Sequence, residues 1–479
     1  MTTTASLKPN LAAWARGYET LTQEYDYWLE DIEGELPSEL QGTLWRNGPG
    51  QFELGGVSYR HPFDGDGMVS ALTFRDGRVH FRNRYVRTQA FQEEQQAGRI
   101  LYKNVFGTLK PGGFWANLFD FNNKNVANTN VLYYAQKLWA LWEAAPPHRL
   151  DPYTLATTGL DPLVGKLPFS AHPRLDPQTG HLVNFGVEVG LQSRLHLWEL
   201  NPSGKIVRQR VEKLQGLAFI HDFVITPHYA IFFQNPMALD PWPFLFGMKG
   251  AAECLHFAKG EPTRILVLPR DGSPVIELEA EPFFIFHHVN AYEQDGLVII
   301  DSIRYEEYLK AQEDRDFKET DFTQIPAGRL WRTTLDLKAR RLTTRMHAPR
   351  ACEFPQVAPN FVGQSHRWAY LASAHAPTAN GPMQAVGRFD FVKRLEERYS
   401  FDPDGYVGEP VFIPRPGAVE EDGGWVVSLV YRGDVHRTDV IFFDAQNIAA
   451  GPIAQLHLPH HVPHGLHGTW SPGFFSKAI

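Results

Sequence analysis

The sequence predicts an all-β protein, a β-propeller, and two observations carry the prediction. From about Leu40 onward, short runs rich in β-branched and aromatic residues recur between turn signals, and segments of helical period are few. These runs continue through most of a 479-residue chain, with no strict sequence repeat. Radial repetition of small sheets is a common way to close so many strands.

Taken in order, 182–189 is followed by 195–200, which stops at Asn201-Pro202-Ser203-Gly204. Pro presets φ there and Gly supplies positive φ, so the chain turns. The run 265–268 stops at Arg270-Asp271-Gly272, and 296–300, 330–337, 368–372, 425–431 and 440–443 continue the series. Two stretches break it. Residues 110–130, rich in Gly, Asn and Phe, read as a long loop. Residues 236–258 hold Trp242, Phe244, Leu245, Phe246, Met248, Leu255 and Phe257 with almost no charge before Lys249. This is either a core helix or a patch that dips into a bilayer.

Composition narrows the function. Hydrophobic residues make up 43%, charged residues 21% and aromatics 13%, which suits a folded body of enzyme size. The formal charge is −8 and no Lys/Arg run interleaves with aromatics, so nucleic acid is not an expected partner. Two cysteines, Cys254 and Cys352, exclude a disulfide framework and suggest a reducing compartment. Residues 1–17 lack the apolar core of a signal peptide, and about 18 apolar residues never run together. A soluble, cytoplasmic protein is expected.

Among the 20 histidines no His-Glu-x-x-His or Cys-x-x-Cys spacing occurs, so a metal site would have to be assembled from distant segments. Four histidines sit at the ends of strand-like runs: His172 in Phe-Ser-Ala-His-Pro, His221 in Phe-Ile-His-Asp-Phe, His287 in Phe-Ile-Phe-His-His-Val-Asn, and His467 in His-Gly-Leu-His-Gly-Thr-Trp. Their separations, 49, 66 and 180 residues, are compatible with one ligand from each of several blades. The cluster His457, His460, His461, His464 and His467 offers a rival reading as a surface metal-binding tract.

These settings together resemble the carotenoid cleavage oxygenase family. Also similar to that family are Arg46-Asn47-Gly48-Pro49, Phe63-Asp64-Gly65-Asp66-Gly67-Met68, Ala127-Asn128-Thr129-Asn130, Leu150-Asp151-Pro152-Tyr153-Thr154-Leu155, Glu353-Phe354-Pro355-Gln356 and Glu420-Glu421-Asp422-Gly423, in the family's order over nearly the whole chain. Ala140-Leu141-Trp142-Glu143-Ala144 and Gly250-Ala251-Ala252-Glu253-Cys254-Leu255 are similar to its cyanobacterial apocarotenoid 15,15′-oxygenase branch. The resemblance implies a single domain over 1–479, with 1–39 as an extension packed on it. It implies a seven-bladed propeller with Fe(II) on its axis under a cap of helix and loop. The implied ligands are His172, His221, His287 and His467, with His287 chosen over His288 because Asn290 follows it at the family's spacing.

Four neutral imidazoles leave the metal's charge intact and two octahedral positions open, so Fe(II) can take O2 without an organic cosubstrate. Ligating imidazoles donate their other N–H to an acceptor that fixes tautomer and ring plane. By resemblance those acceptors are Glu143, Glu353 and Glu421, and His172 has none. Thr129 falls where a family threonine shields one open position with its methyl group, and Trp142, Phe286 and Tyr305 are the implied lining of a substrate tunnel.

The implied reaction is oxidative cleavage of a conjugated C=C bond in an apolar polyene, centrally in an apocarotenoid to give retinal. Such a substrate starts in a membrane, so 236–258 is expected to dock peripherally on a bilayer. A stilbene-cleaving relative is the alternative, disfavoured because Trp142 stands where those members place a lysine. A propeller that binds carotenoids or proteins without catalysis is the other.

Overall fold

The computed structural model describes residues 8–120, 122–190, 192–310, 312 and 315–476; part of the expected N-terminal extension, 1–7, lies outside the described residues. Seven antiparallel sheets arranged as blades form the fold, accompanied by two small hairpins. The chain is a seven-bladed β-propeller.

Each blade is covered on both faces by its neighbours, and this explains why the inner strands read as continuous apolar runs rather than alternating ones. Gly424–Arg432 pairs with Arg437–Asp444, and Val426, Val427, Val430, Ile441, Phe442 and Phe443 from both faces of that hairpin are buried. Outer strands alternate instead: Ile206–Lys213 keeps half-buried residues at Ile206, Arg210 and Glu212 between exposed ones. All eight runs singled out from the sequence lie wholly or mainly in strands.

Closure uses both ends of the described chain. Ile32–Gly34 pairs with Ala454–His457 in the last blade, while Gly468–Ser471 pairs with Gly42–Arg46 in the first. Asp26–Leu29 is likewise the outer strand of the first blade, paired with Arg78–Tyr85. Residues 26–34, within the stretch 1–39 expected to pack on the domain as an extension, thus supply strands to two of the blades. The short helix Leu11–Arg16 precedes them, capped by Asn10 and carrying Trp14 inward.

In five blades the inner strand is Asn130–Tyr134, Arg174–Leu175, Phe223–Ile225, Phe284–Gln294 or Cys352–Gln356. Gly468–Ser471 is the inner strand of the first blade, and Gly405–Val407 and Val411–Pro414 share the role in the last. The four histidines described below, with Thr129, Phe286, Glu353, Phe354 and Glu409, sit on these strands or within two residues of them, whereas Trp142, Glu143 and Tyr305 do not.

The stretch 236–258 is not a core helix. It is a hairpin, Met237–Leu239 with Leu255–Phe257, tipped by a one-turn helix Pro241–Leu245 none of whose residues is buried. The stretch 110–130 carries a second short helix, Gly113–Asn117. Phe119 N donates to the Leu245 carbonyl at 3.0 Å and the rings of Phe119 and Phe246 are 6.5 Å apart, so the two irregular stretches form one protrusion. It presents Trp115 (82% exposed), Trp242 (62%), Phe119 (60%) and Met248 (57%) to solvent. No helix among the described residues is long and apolar enough to cross a membrane.

Candidate metal centre

The inner strands bring His172, His221, His287 and His467 together. The Nε2 atoms of His172 and His221 are 3.0 Å apart, and one ligand atom from each of His172, His221 and His287 lies within 4.8 Å of the others. The His467 ring centroid is 4.7 Å from that of His172 and 4.9 Å from that of His287. Two nitrogens bound at right angles to one metal at about 2.1 Å would be about 3.0 Å apart, as His172 and His221 are.

Local irregularity makes this convergence possible. On a regular strand successive side chains alternate faces, so Phe286 and His287 would point apart. Pairing of Phe284–Gln294 with Leu297–Tyr305 slips between Ile285 and His288 and again between His288 and Asn290, a bulge that turns both Phe286 and His287 to the central cavity. His288 faces away and bonds Ser302 Oγ through Nδ1 at 2.6 Å. Gly468 follows His467 because a Cβ there would meet the Trp45 carbonyl oxygen at 2.1 Å.

Three of the rings rest on glutamates. His221 Nδ1 is 2.6 Å from Glu143, His287 Nδ1 is 2.6 Å from Glu353, and His467 Nδ1 is 2.8 Å from Glu409. Each carboxylate accepts the Nδ1 hydrogen, which leaves the lone pair of Nε2 as the inward-facing group. His287 Nε2 is buried with no hydrogen-bond partner. An orphaned nitrogen among inward-facing lone pairs is what a divalent cation satisfies, so the donor set fits a metal of the kind imidazoles favour.

Glu421 is not the third acceptor. Its carboxylate takes the backbone N–H groups of Arg367 and Trp368 at 2.7–2.9 Å. It precedes Gly424–Arg432, which runs antiparallel to the inner strand Val411–Pro414, and so lies at the far end of the blade. The acceptor is Glu409, between the two inner strands of the same blade and missed in the sequence. The Tyr406-Val407-Gly408-Glu409-Pro410 segment carries a signal only by position, since it begins an inner strand as the histidine settings do.

The glutamates are themselves held. Tyr305 Oη donates to Glu353 at 2.6 Å, as does the amide of Phe354. Burial alone would raise both acids, yet His287 and Tyr305 keep Glu353 below the ordinary carboxylate range. His467, Arg46 and the Gly468 amide likewise hold Glu409 at about 2. Burial outweighs everything else at His172 and His467 and pushes both down, toward the neutral form that binds metal. His172 alone of the four has no glutamate on its ring among the described residues; its amide bonds Ser170 Oγ at 3.1 Å.

A cavity of about 350 Å³ opens on the histidines and is lined by Thr129, Trp142, Phe286, Tyr305 and Phe354 among others. The Thr129 carbonyl accepts the His467 amide at 3.1 Å, placing this threonine beside that histidine. Phe354 holds φ +53°, a conformation a bulky residue adopts only when its surroundings impose it, and stacks on His287 at 5.8 Å.

The rival histidine tract dissolves into separate partners. His457 bonds Asp439 (2.8 Å), His460 bonds Tyr27 (3.0 Å), His461 bonds the Glu19 carbonyl (3.1 Å) and His464 that of Trp14 (3.0 Å).

Residues 18–472 match the family described as retinal pigment epithelial membrane protein. The apocarotenoid-15,15′-oxygenase of Synechocystis sp. is 48% identical over 469 residues, 96% of each chain. The lignostilbene-α,β-dioxygenase isozyme III of Sphingomonas paucimobilis is 30% identical, covering 92% of this chain and 93% of that one. A crystal structure of the cobalt-substituted Synechocystis oxygenase superposes with a TM-score of 0.95 at 47% identity, over 97% of this chain and 99% of that one.

Proposed function

The chain belongs to the carotenoid oxygenase family, that of the retinal pigment epithelial membrane protein, and from this premise we propose that it is an apocarotenoid cleavage dioxygenase acting at the central 15,15′ bond. The observation that carries the reading is the four-histidine cluster beside an aromatic cavity. His172, His221, His287 and His467 would hold Fe(II), which when bound supplies the activation of O2 that no side chain provides.

The protein's own residues do the rest. Glu143, Glu353 and Glu409 fix the tautomers so that the lone pairs face inward. Thr129, which lines the cavity and whose carbonyl accepts the His467 amide, would shield one side of the cluster with its methyl group and leave the other for O2 and substrate. Trp142, Phe286 and Tyr305 form the walls against which a flat polyene lies, and they exclude water. Both atoms of O2 end in the two carbonyl products, so no side chain acts as acid or base. Purified protein given apocarotenals under ¹⁸O2 should release shorter aldehydes with label in both; absence of any shorter aldehyde overturns the reading. Trp142 lacks the charge to engage a phenol, which leaves the stilbene reading unsupported.

The protrusion around Trp115 and Trp242 would dock on a membrane. Burying on the order of 500 Å² of polyene is worth about 12 kcal/mol against water, but a substrate drawn from lipid has already gained it. Direct transfer from bilayer to cavity makes extraction nearly neutral. Trp115→Glu with Trp242→Glu should abolish sedimentation with phosphatidylcholine vesicles while cleavage of detergent-solubilised substrate persists; unchanged sedimentation sinks the docking role.

A further inference from the structure

The ligand-bearing segments are tied to one another by an ion pair that touches none of the ligand rings. Asp222, 1% exposed at its side chain, follows His221 directly, and Arg174 lies two residues after His172. Arg174 Nη2 meets Asp222 Oδ2 at 2.6 Å. The same Oδ2 accepts the amide of His288 at 2.8 Å, and Oδ1 accepts that of Phe223 at 2.7 Å. Arg174 completes the set from the other side, donating from Nε to the Phe223 carbonyl at 2.9 Å and from Nη2 to the His288 carbonyl at 3.2 Å.

One acid and one base therefore clamp both main-chain groups of Phe223 and both of His288. Those two residues stand two positions after His221 and one after His287, and the base itself stands two after His172. The bulge at His287 explains the need. Where the pairing slips, the His288 amide has an acceptor off its own strand pair, and Asp222 supplies it. Without that acceptor the strand would gain by re-pairing in regular register, which would turn His287 out of the cluster. His467, the fourth ligand, is wired separately through Glu409 and Arg46.

We propose that Asp222 and Arg174 are positioning residues that set the spacing of His172, His221 and His287 through the main chain, and thereby the affinity and geometry of the metal centre. The inference rests on the four-histidine reading above. A partner outside the ligand rings typically changes metal affinity 10–100-fold, and that is the loss expected here.

The test is titration of metal-free protein with Co²⁺, followed by its visible d–d absorption and by thermal unfolding. Wild type should bind one Co²⁺ per chain; failure to do so would overturn the metal centre itself and not the clamp. Asp222→Asn should lose 10–100-fold in Co²⁺ affinity with an altered d–d spectrum. Asp439→Asn is the control: it removes an equally buried acid, paired with Arg437 at 3.0 Å in the last blade, and should lower Tm without moving affinity or spectrum. If Asp222→Asn lowers Tm as Asp439→Asn does while binding Co²⁺ like wild type, the clamp is merely structural and the proposal falls. Should Asp222→Asn not fold, Arg174→Gln, which removes one arm of the clamp, decides by the same readouts.

Discussion

His467 and His172 stand on neighbouring sides of the candidate metal centre and are built in opposite ways. His467 rests on Glu409, which rests in turn on Arg46 at 2.7 Å and on Gln356 at 3.0 Å, all of it buried or nearly so. His172 has no acid behind its ring and is placed by its backbone: Ser170 Oγ holds its amide, and Asn130 donates to the preceding carbonyl at 2.6 Å. The difference teaches that the propeller can aim an imidazole either by an acid bonded directly to its ring or by hydrogen bonds and an ion pair that grip the main chain beside it. The first route ties the ring itself to a buried charge. The second leaves the ring without one.

Breaking the charged route should cost most. Glu409→Gln leaves Arg46 buried beside a neutral amide and His467 with a weaker acceptor, so a loss of about 3 kcal/mol in stability is expected, together with loss of most bound metal by elemental analysis. Because Glu409 is held near 2, below the roughly 4.3 of an unfolded glutamate, its contribution is complete above about pH 4.5 and drains away as pH falls toward 2. The Tm difference between wild-type and Glu409→Gln metal-free protein should therefore close on acidification through that window. A gap that stays constant down to pH 2 would show that the carboxylate's charge is not what supports the fold.

A milder break is Glu143→Gln. Glu143 is about a third exposed, so solvent can substitute for part of what it does. We expect metal affinity to fall about 10-fold, the lower end for such partners, with the stability of the metal-free protein within about 0.5 kcal/mol of wild type. A loss as large as that of Glu409→Gln would erase the distinction drawn here. The smallest effect belongs to Glu421→Gln, which keeps its oxygen toward the Arg367 and Trp368 amides and touches no ligand. Metal content should match wild type, and a drop would return Glu421 to the site.

The four histidines stood out at the ends of strand-like runs, but it was the family resemblance that singled them out from the other sixteen. Glu143 and Glu353 were legible through the family resemblance, and flanking Trp142 and Phe354 favoured their burial. Glu409 was not, because Gly408 and Pro410 flank it and nothing in that context separates a buried acid from a turn. Glu421 was implied by resemblance of its acidic motif to the family's, although such runs are ordinarily solvated and here two backbone amides claim it. The protrusion was legible as two separate irregular stretches, but their union depends on the contact of Phe119 with Leu245 and Phe246, which connects residues more than 120 positions apart.

The ring closes through Gly468–Ser471, and His467 stands directly before that strand. During synthesis the first three histidines emerge long before the fourth, when the last and first blades are still unlocked. A nascent chain thus lacks one of the four proposed ligands until its circle is shut. Assembly order itself postpones oxygen chemistry until there is a finished body to contain it.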